Sequence, residues 1–346
     1  MFGRRGISTL TALLLCGCQI AVAQDERPEV GEAPDPDDAD LMLLQQRSML
    51  TPRGQWVVEP SLSYVHANSL EVSIEGFTLI PAVAIGLIDV SETERDTSSS
   101  SLALRYGVTN RVEIGVKIPY VHREQRIRRR DILEGTSLDT LMESDGRGLG
   151  DIEFGINYQF NTRDRGRPFF IGDLKLKSRT GKDPFEVDRR EILDEEGRRI
   201  GDVLLEQPTG SGFRGAQANL TMIYPSDPAV VFANFSYLHN FKRDVGPAYG
   251  VIRPGQVVGA SIGLGLSLND RTSISFGYDH NIVYRTRVEN DEGLEPIFNR
   301  RHVGVLMWGL SHRLTQRTLS LSVGVGATEA APDVQVTLRF PVRVGG

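Results

Sequence analysis

Charged residues fall at every second position in several stretches of this chain, and that spacing limits the chemistry they can do. Asp173, Lys175, Lys177 and Arg179 alternate with Leu174 and Leu176. Arg111, Glu113, Gly115 and Lys117 alternate with Val112, Ile114, Val116 and Ile118. Period two places the charges on one face of a strand and the apolar groups on the other. Carried through the chain, this parity gives one inward set of mixed sign. Its acids are Glu59, Glu113, Asp151, Glu153, Asp173 and Asp279. Its bases are Arg105, Lys117, Lys175, Lys177, Lys242 and Arg339. Such a face can brace a wall as a salt-bridge lattice, or it can form a polar constriction that selects what passes.

Other patterns that suggest chemistry do not hold up. Gly259-Ala260-Ser261-Ile262-Gly263 matches the G-x-S-x-G nucleophile pattern, which requires a strand-to-helix elbow. Here it lies inside an alternating run that continues through Leu264-Gly265-Leu266. Gly146-Arg147-Gly148-Leu149-Gly150 precedes a strand, so it offers phosphate no helix N-terminus; it reads as a turn from loop into strand. The histidines at 66, 122, 239, 280, 302 and 312 have no metal-binding spacing. The basic run Arg126–Arg130 reads as part of a long loop, either solvated or touching anionic lipid headgroups. We expect no catalytic residue, cofactor or metal.

The elements that must position these residues are strands. Asp151–Phe160 reads DIEFGINYQF, with Ile152, Phe154, Ile156, Tyr158 and Phe160 on one face. Twelve such segments are expected, near 55–75, 82–106, 111–125, 149–161, 167–180, 212–225, 229–243, 255–268, 271–288, 298–314, 317–328 and 332–342. Tight turns at 108–111, 225–228, 269–271 and 314–317 and a slightly longer one at 161–167 alternate with longer connections at 126–148, 181–211, 244–254 and 289–297. No segment approaches the roughly 20 consecutive apolar residues of a membrane helix. A composition of 40% hydrophobic and 24% charged residues suits a barrel in which every second residue meets lipid. The expected fold is all-β: an antiparallel up-and-down transmembrane β-barrel of about 12 strands with a short N-terminal helix.

The chain opens as an exported protein. Arg4 and Arg5, the apolar run Ile7–Leu15 and Ala21-Val22-Ala23 form a signal peptide spanning residues 1–23. Leu15-Cys16-Gly17-Cys18 offers a lipoprotein reading of the same stretch. Both cysteines lie here, so the mature chain has none to cross-link. Formal net charge is −6, and losing Arg4 and Arg5 makes it −8. Residues 24–40 hold eight acids and one arginine, a net of −7, so the rest is nearly neutral and nothing argues for a nucleic-acid partner. That acidic stretch is expected to be disordered. Leu41, Leu43, Leu44, Arg47 and Met49 follow on a short helix, before a barrel spanning 54–346. An even strand number puts both termini in the periplasm of a Gram-negative cell. From there the helix can plug the mouth, with Arg47 reaching Glu59 or Glu113, or residues 24–53 can be only a leader.

The tract Gly148-Leu149-Gly150-Asp151-Ile152-Glu153, with Arg105–Arg111 and Ile118-Pro119-Tyr120-Val121, resembles the outer-membrane transporters of the "meta-pathway of phenol degradation" family over roughly residues 50–342. The segment before the barrel also resembles the outer-membrane channel of functional-amyloid secretion. The first resemblance implies a passive channel for small aromatic or hydrophobic solutes; the second, a pore for an exported polypeptide. A structural surface barrel without transport is the third reading. The partners expected are outer-membrane lipid, the solute or exported polypeptide and the barrel-assembly machinery, with association of identical chains left open.

Overall fold

Alternating sequence becomes strand here almost without interruption. The computed structural model describes residues 50–68, 90–130, 139–161, 167–193, 199–226, 228–246, 250–290, 293–296, 300–314 and 317–344. The expected signal peptide, the acidic stretch and the expected plug residues Leu41, Leu43, Leu44, Arg47 and Met49 lie outside the described residues.

In chain order the strands are β1 (Trp56–Asn68), β2 (Val90–Thr109), β3 (Val112–Arg130), β4 (Asp139–Leu149), β5 (Glu153–Gln159) and β6 (Phe169–Lys177). Then come β7 (Arg189–Leu193), β8 (Arg199–Leu204), β9 (Gly215–Ser226), β10 (Ala229–Asn240), β11 (Arg243–Asp244), β12 (Val251–Arg253) and β13 (Val257–Asn269). The last are β14 (Thr272–Val283), β15 (Arg287–Asn290), β16 (Gly293–Pro296), β17 (Arg301–Arg313), β18 (Thr318–Gly326), β19 (Val334–Arg339) and β20 (Val342–Val344).

Twelve of these form the wall, in the order β1, β2, β3, β5, β6, β9, β10, β13, β14, β17, β18, β19. β19 pairs antiparallel with β1, Ser61 opposite Arg339 and His66 opposite Val334, which closes the barrel. β20 continues that seam by pairing with Trp56–Val58. Neighbours in sequence are neighbours in the wall, as in an up-and-down barrel. No helix occurs among the described residues.

The wall carries its large apolar side chains on the outside. Ile262 is 60% exposed, Phe154 54% and Leu176 51%, while Glu113 and Ser273 on the inner face are fully buried. In water this distribution would be inside out. A closed sheet with an apolar exterior is the form in which strands cross lipid, because every ladder hydrogen bond is made within the wall. Tyr106 stacks against Trp56 at a ring separation of 4.7 Å. Tyr158 meets Phe160 edge-on at 5.1 Å. Both pairs sit at the rim formed by the short turns, where aromatic rings favour the membrane interface.

The long connections are more structured than the sequence suggests. Within 126–148, expected as a loop, residues 126–130 and 139–148 are strand: β3 runs on to Arg130 and pairs with β4. Alternation is hard to see there because both faces are polar. The basic run accordingly begins in a strand, and Arg126 meets Glu94 at 3.7 Å and Glu143 at 3.4 Å rather than lying in a free loop. The expected strand at 149–161 is broken at Gly150–Ile152 into β4 and β5. The connection at 181–211 carries the β7–β8 hairpin, and β11, β12, β15 and β16 form a separate four-stranded sheet on other long connections. The chain after Phe340 forms β20 rather than ending the ladder.

Parity makes a direct test available. Ile262→Arg, on the lipid face, should destabilise the refolded barrel by about 2–4 kcal/mol. Ser322→Arg, on the lumen face, should cost under about 1 kcal/mol by comparison. Denaturant titration in phospholipid vesicles, with heat-modifiable gel migration as the folding readout, measures both.

Candidate functional site

The barrel encloses a cavity of about 830 Å³. Its lining follows strand parity. On the β1–β6 side it is charged, and the charges fall in register. Lys117 on β3 lies opposite Glu153 on β5, and Glu153 lies opposite Lys177 on β6. Two residues further along, Arg105 and Lys175 flank Gly115 and Gly155 in the next row. Those glycines leave room for the long cations: a Cβ on Gly115 would sit 3.2 Å from Arg105 Cγ.

On β14, β17, β18 and β19 the lining carries little charge, and an uncharged row there runs on across the seam into β1 and β2. Ser275, Gly309, Ser322, Thr337, Ser63 and Ser99 lie opposite one another in turn, one row of small residues across six strands. Ser63 Oγ and Thr337 Oγ1 share a hydrogen bond of 3.2 Å across the closing seam, and Ser61 and Ser101 share one of 2.7 Å. Asp279 and Arg339 are the charged exceptions on this side. The space in the barrel therefore lies between a charged wall and a wall of hydroxyls and glycine.

The charged residues singled out by sequence do not all behave alike. Arg105 binds Glu59 at 2.6 Å, both mostly buried, which braces β2 against β1. Lys175 stands 3.5 Å from Asp173, whose other partner is the Asn219 amide at 2.5 Å. Lys117 is 4.0 Å from Glu153. Asp279 accepts a hydrogen bond from Asn281, and Arg339 faces the cavity across the seam. Lys242 is exposed beyond the end of β10 and does not line the cavity. Glu113 is fully buried and does not line it either.

Glu113 is covered by the chain that enters the barrel. The Thr51 backbone N–H and hydroxyl donate to its Oε2 at 2.6 and 2.5 Å, and the Asn157 amide donates to Oε1 at 2.9 Å. Gly54, with φ of +79°, donates to Gly107 O at 2.8 Å, and Gly107 donates back to Gln55 O at 3.1 Å. Only glycine fits at 107, since a Cβ there would lie 2.1 Å from Pro52 O. Leu50 packs on the inward cluster Phe169, Ile171, Ile223 and Val230. Residues 50–55 are thus fastened inside the short-turn end of the barrel.

A second segment is fastened at the opposite end. Ser211 donates from its backbone and its hydroxyl to Asp151 Oδ2 at 2.9 and 2.6 Å. Gly181 donates to Asp151 Oδ1 at 3.2 Å, and buried Lys177 donates to the Ser211 hydroxyl at 2.5 Å. Asp151 and Lys177 therefore tie the connection 178–214 to the wall. Gln207 N donates to Asp145 O, and Thr209 Oγ1 donates to Leu149 O, which covers the open edge of β4. Gly146 belongs to this contact and not to a turn: a Cβ there would meet Gln207 O at 1.9 Å. Sequence reading missed Thr51, Gln207, Thr209 and Ser211. The one available signal was the small-residue run Thr209-Gly210-Ser211-Gly212, typical of a backbone pressed closely against another.

Removing one partner of this buried lock leaves an uncompensated charge. Asp151→Ala should therefore destabilise by about 3–5 kcal/mol, and Asp151→Ala with Lys177→Met should recover much of that. The loss is read as denaturation midpoint and as faster protease cleavage within 181–211. No family model matches the chain. In structure it is similar to the COG4313 outer membrane channel of Pseudomonas putida F1, with a TM-score of 0.54 at 12% identity over 85% of this chain and 97% of that one. The translocator domain of the autotransporter NalP of Neisseria meningitidis gives a TM-score of 0.46 at 8% identity, over 89% of this chain and 94% of that one. The toluene transporter TbuX of Ralstonia pickettii gives 0.44 at 8% identity, over 85% and 90%. At these identities the likeness is one of fold, and the fold shared with the COG4313 channel is the outer-membrane β-barrel.

Proposed function

We propose that this protein is a passive channel of the Gram-negative outer membrane, conducting small solutes through its barrel, with both termini on the periplasmic side. One observation carries the reading: a cavity of about 830 Å³, lined in part by charged and hydroxyl side chains, lies inside a wall whose exterior is apolar. A structural surface barrel has no need of such a space; it gains more by filling the interior with side chains. The G-x-S-x-G nucleophile pattern finds no strand-to-helix elbow, because Ser261 sits in the middle of β13.

Flow is restricted at the short-turn end. Thr51 and Leu50 already occupy the inner wall there. The residues just before them, Leu41, Leu43, Leu44, Arg47 and Met49, are the proposed plug. Their apolar side chains need cover that water does not give, and a helix this short is not stable alone. The inward cluster around Phe169 and Ile223 offers that cover next to Leu50. Glu113 accepts from the neutral donors of Thr51 and Asn157 while Glu59 is already paired with Arg105, so of the two acids Glu113 is the one for Arg47 to meet.

Deleting residues 24–49 while keeping Leu50–Gln55 should raise single-channel conductance in planar bilayers at least about twofold, since a constriction sets the conductance of a narrow pore. Equal conductance in the full and shortened chains would make the segment a tail. Silence in both would remove the channel reading.

A further inference from the structure

The cavity's charges nearly balance in number, but they are not equally available to a solute. Each acid on the charged wall is sunk toward the backbone, while two of the lysines stand free of it. Lys117 is 47% exposed against 17% for its partner Glu153, and Lys175 is 41% exposed against 15% for Asp173. The Arg105–Glu59 pair is closed on itself, and Lys177 with Asp151 is buried in the loop lock. Arg339, also exposed, faces the same cavity from the seam. Glu113, which would have added an accessible acid, is sealed under Thr51. Asp279 is partly buried and already holds the Asn281 amide.

From this difference in exposure we infer that the cavity is an anion-preferring site, with small carboxylate-bearing, hydroxylated solutes as its ligand class. Lys117 and Lys175 sit on adjoining rows on either side of Glu153, so a carboxylate in the cavity meets two ammonium groups on one wall. Across the cavity Ser275, Ser322 and Thr337, and beside β3 Ser63 and Ser99, supply hydroxyls that donate to or accept from a solute's own hydroxyl groups. A lumen bounded by low-dielectric walls focuses the field of such exposed charges, and rings of Lys or Arg are how pores select anions. A purely apolar solute would strip water from these ammonium and hydroxyl groups without offering them a hydrogen-bond partner.

The inference rests on the channel reading, and its test separates the two. The full mature chain is placed in planar bilayers under a tenfold potassium chloride gradient and the reversal potential is read. Vesicle swelling in potassium gluconate, with valinomycin present to carry the potassium, and in sorbitol compares a hydroxylated carboxylate with a neutral polyol of the same carbon number. The expected result is an anion preference of about threefold or more, with gluconate entering faster than sorbitol. Lys117→Met with Lys175→Met should bring the ratio near one while heat-modifiable migration stays unchanged, and Lys117→Arg with Lys175→Arg should keep it. A conducting barrel that is cation-selective or unselective, or whose selectivity ignores the Met substitutions, overturns this inference and leaves the channel intact. If the full chain is silent, the same ratios are read on the chain lacking residues 24–49, and silence there too overturns both.

Discussion

Every feature of this protein depends on closure of the wall. In hydrocarbon an unpaired backbone N–H or C=O costs several kcal/mol, so a sheet edge facing lipid is not tolerated. Twelve strands meet this demand when β19 pairs back onto β1 and β20 continues the seam. Once the ring is closed, side-chain parity has nowhere to slip. A shift by one residue would turn Ile262 and Leu264 into the lumen and Ser261 and Gly263 into the membrane. The apolar exterior and the polar cavity are two consequences of that one geometric fact.

Closure leaves a polar interior that still has to be filled or lined, and the chain does this unevenly. Segments from both ends of the barrel fold inward and are held by buried carboxylates. Glu113 holds residues 50–55 and Asp151 holds 178–214. These acids accept several hydrogen bonds each, which offsets the desolvation of a charge taken out of water. What remains open lies between the Lys117–Glu153–Lys177 row and the serine row, so the residues that hold the fold also shape the cavity. Glycine contributes by absence. Gly107, Gly146 and Gly181 permit backbones to approach where a methyl group would collide with carbonyl oxygen or with another glycine.

Much of this was legible in sequence because a barrel encodes itself locally. Lys175 and Leu176 announce opposite faces through spacing alone, and the tight turns at Asn110 and at Asp270 mark where the wall reverses. The reading failed where spacing carries no contrast. Arg126 lies in a strand whose two faces are both polar, and its paired β4 is equally polar, so the stretch looked like a loop. It failed again where a contact joins distant parts of the chain. Thr51 and Glu113 are 62 residues apart, and Ser211 and Asp151 are 60 apart. No periodicity connects either pair.

The sequence by itself therefore determined which side of each strand is apolar, where the short turns fall and which charges share the inner face. Those are properties of neighbouring residues, and period-two geometry fixes them before the chain folds. Tertiary structure alone decided what each inward charge became. Glu113 and Asp151 turned into anchors for segments remote in sequence, Glu59 was neutralised by Arg105, and Lys117 and Lys175 were left facing the cavity. The physical reason is that exposure of a side chain in a closed barrel depends on which loops fold into it, and only the closed ring brings those loops there.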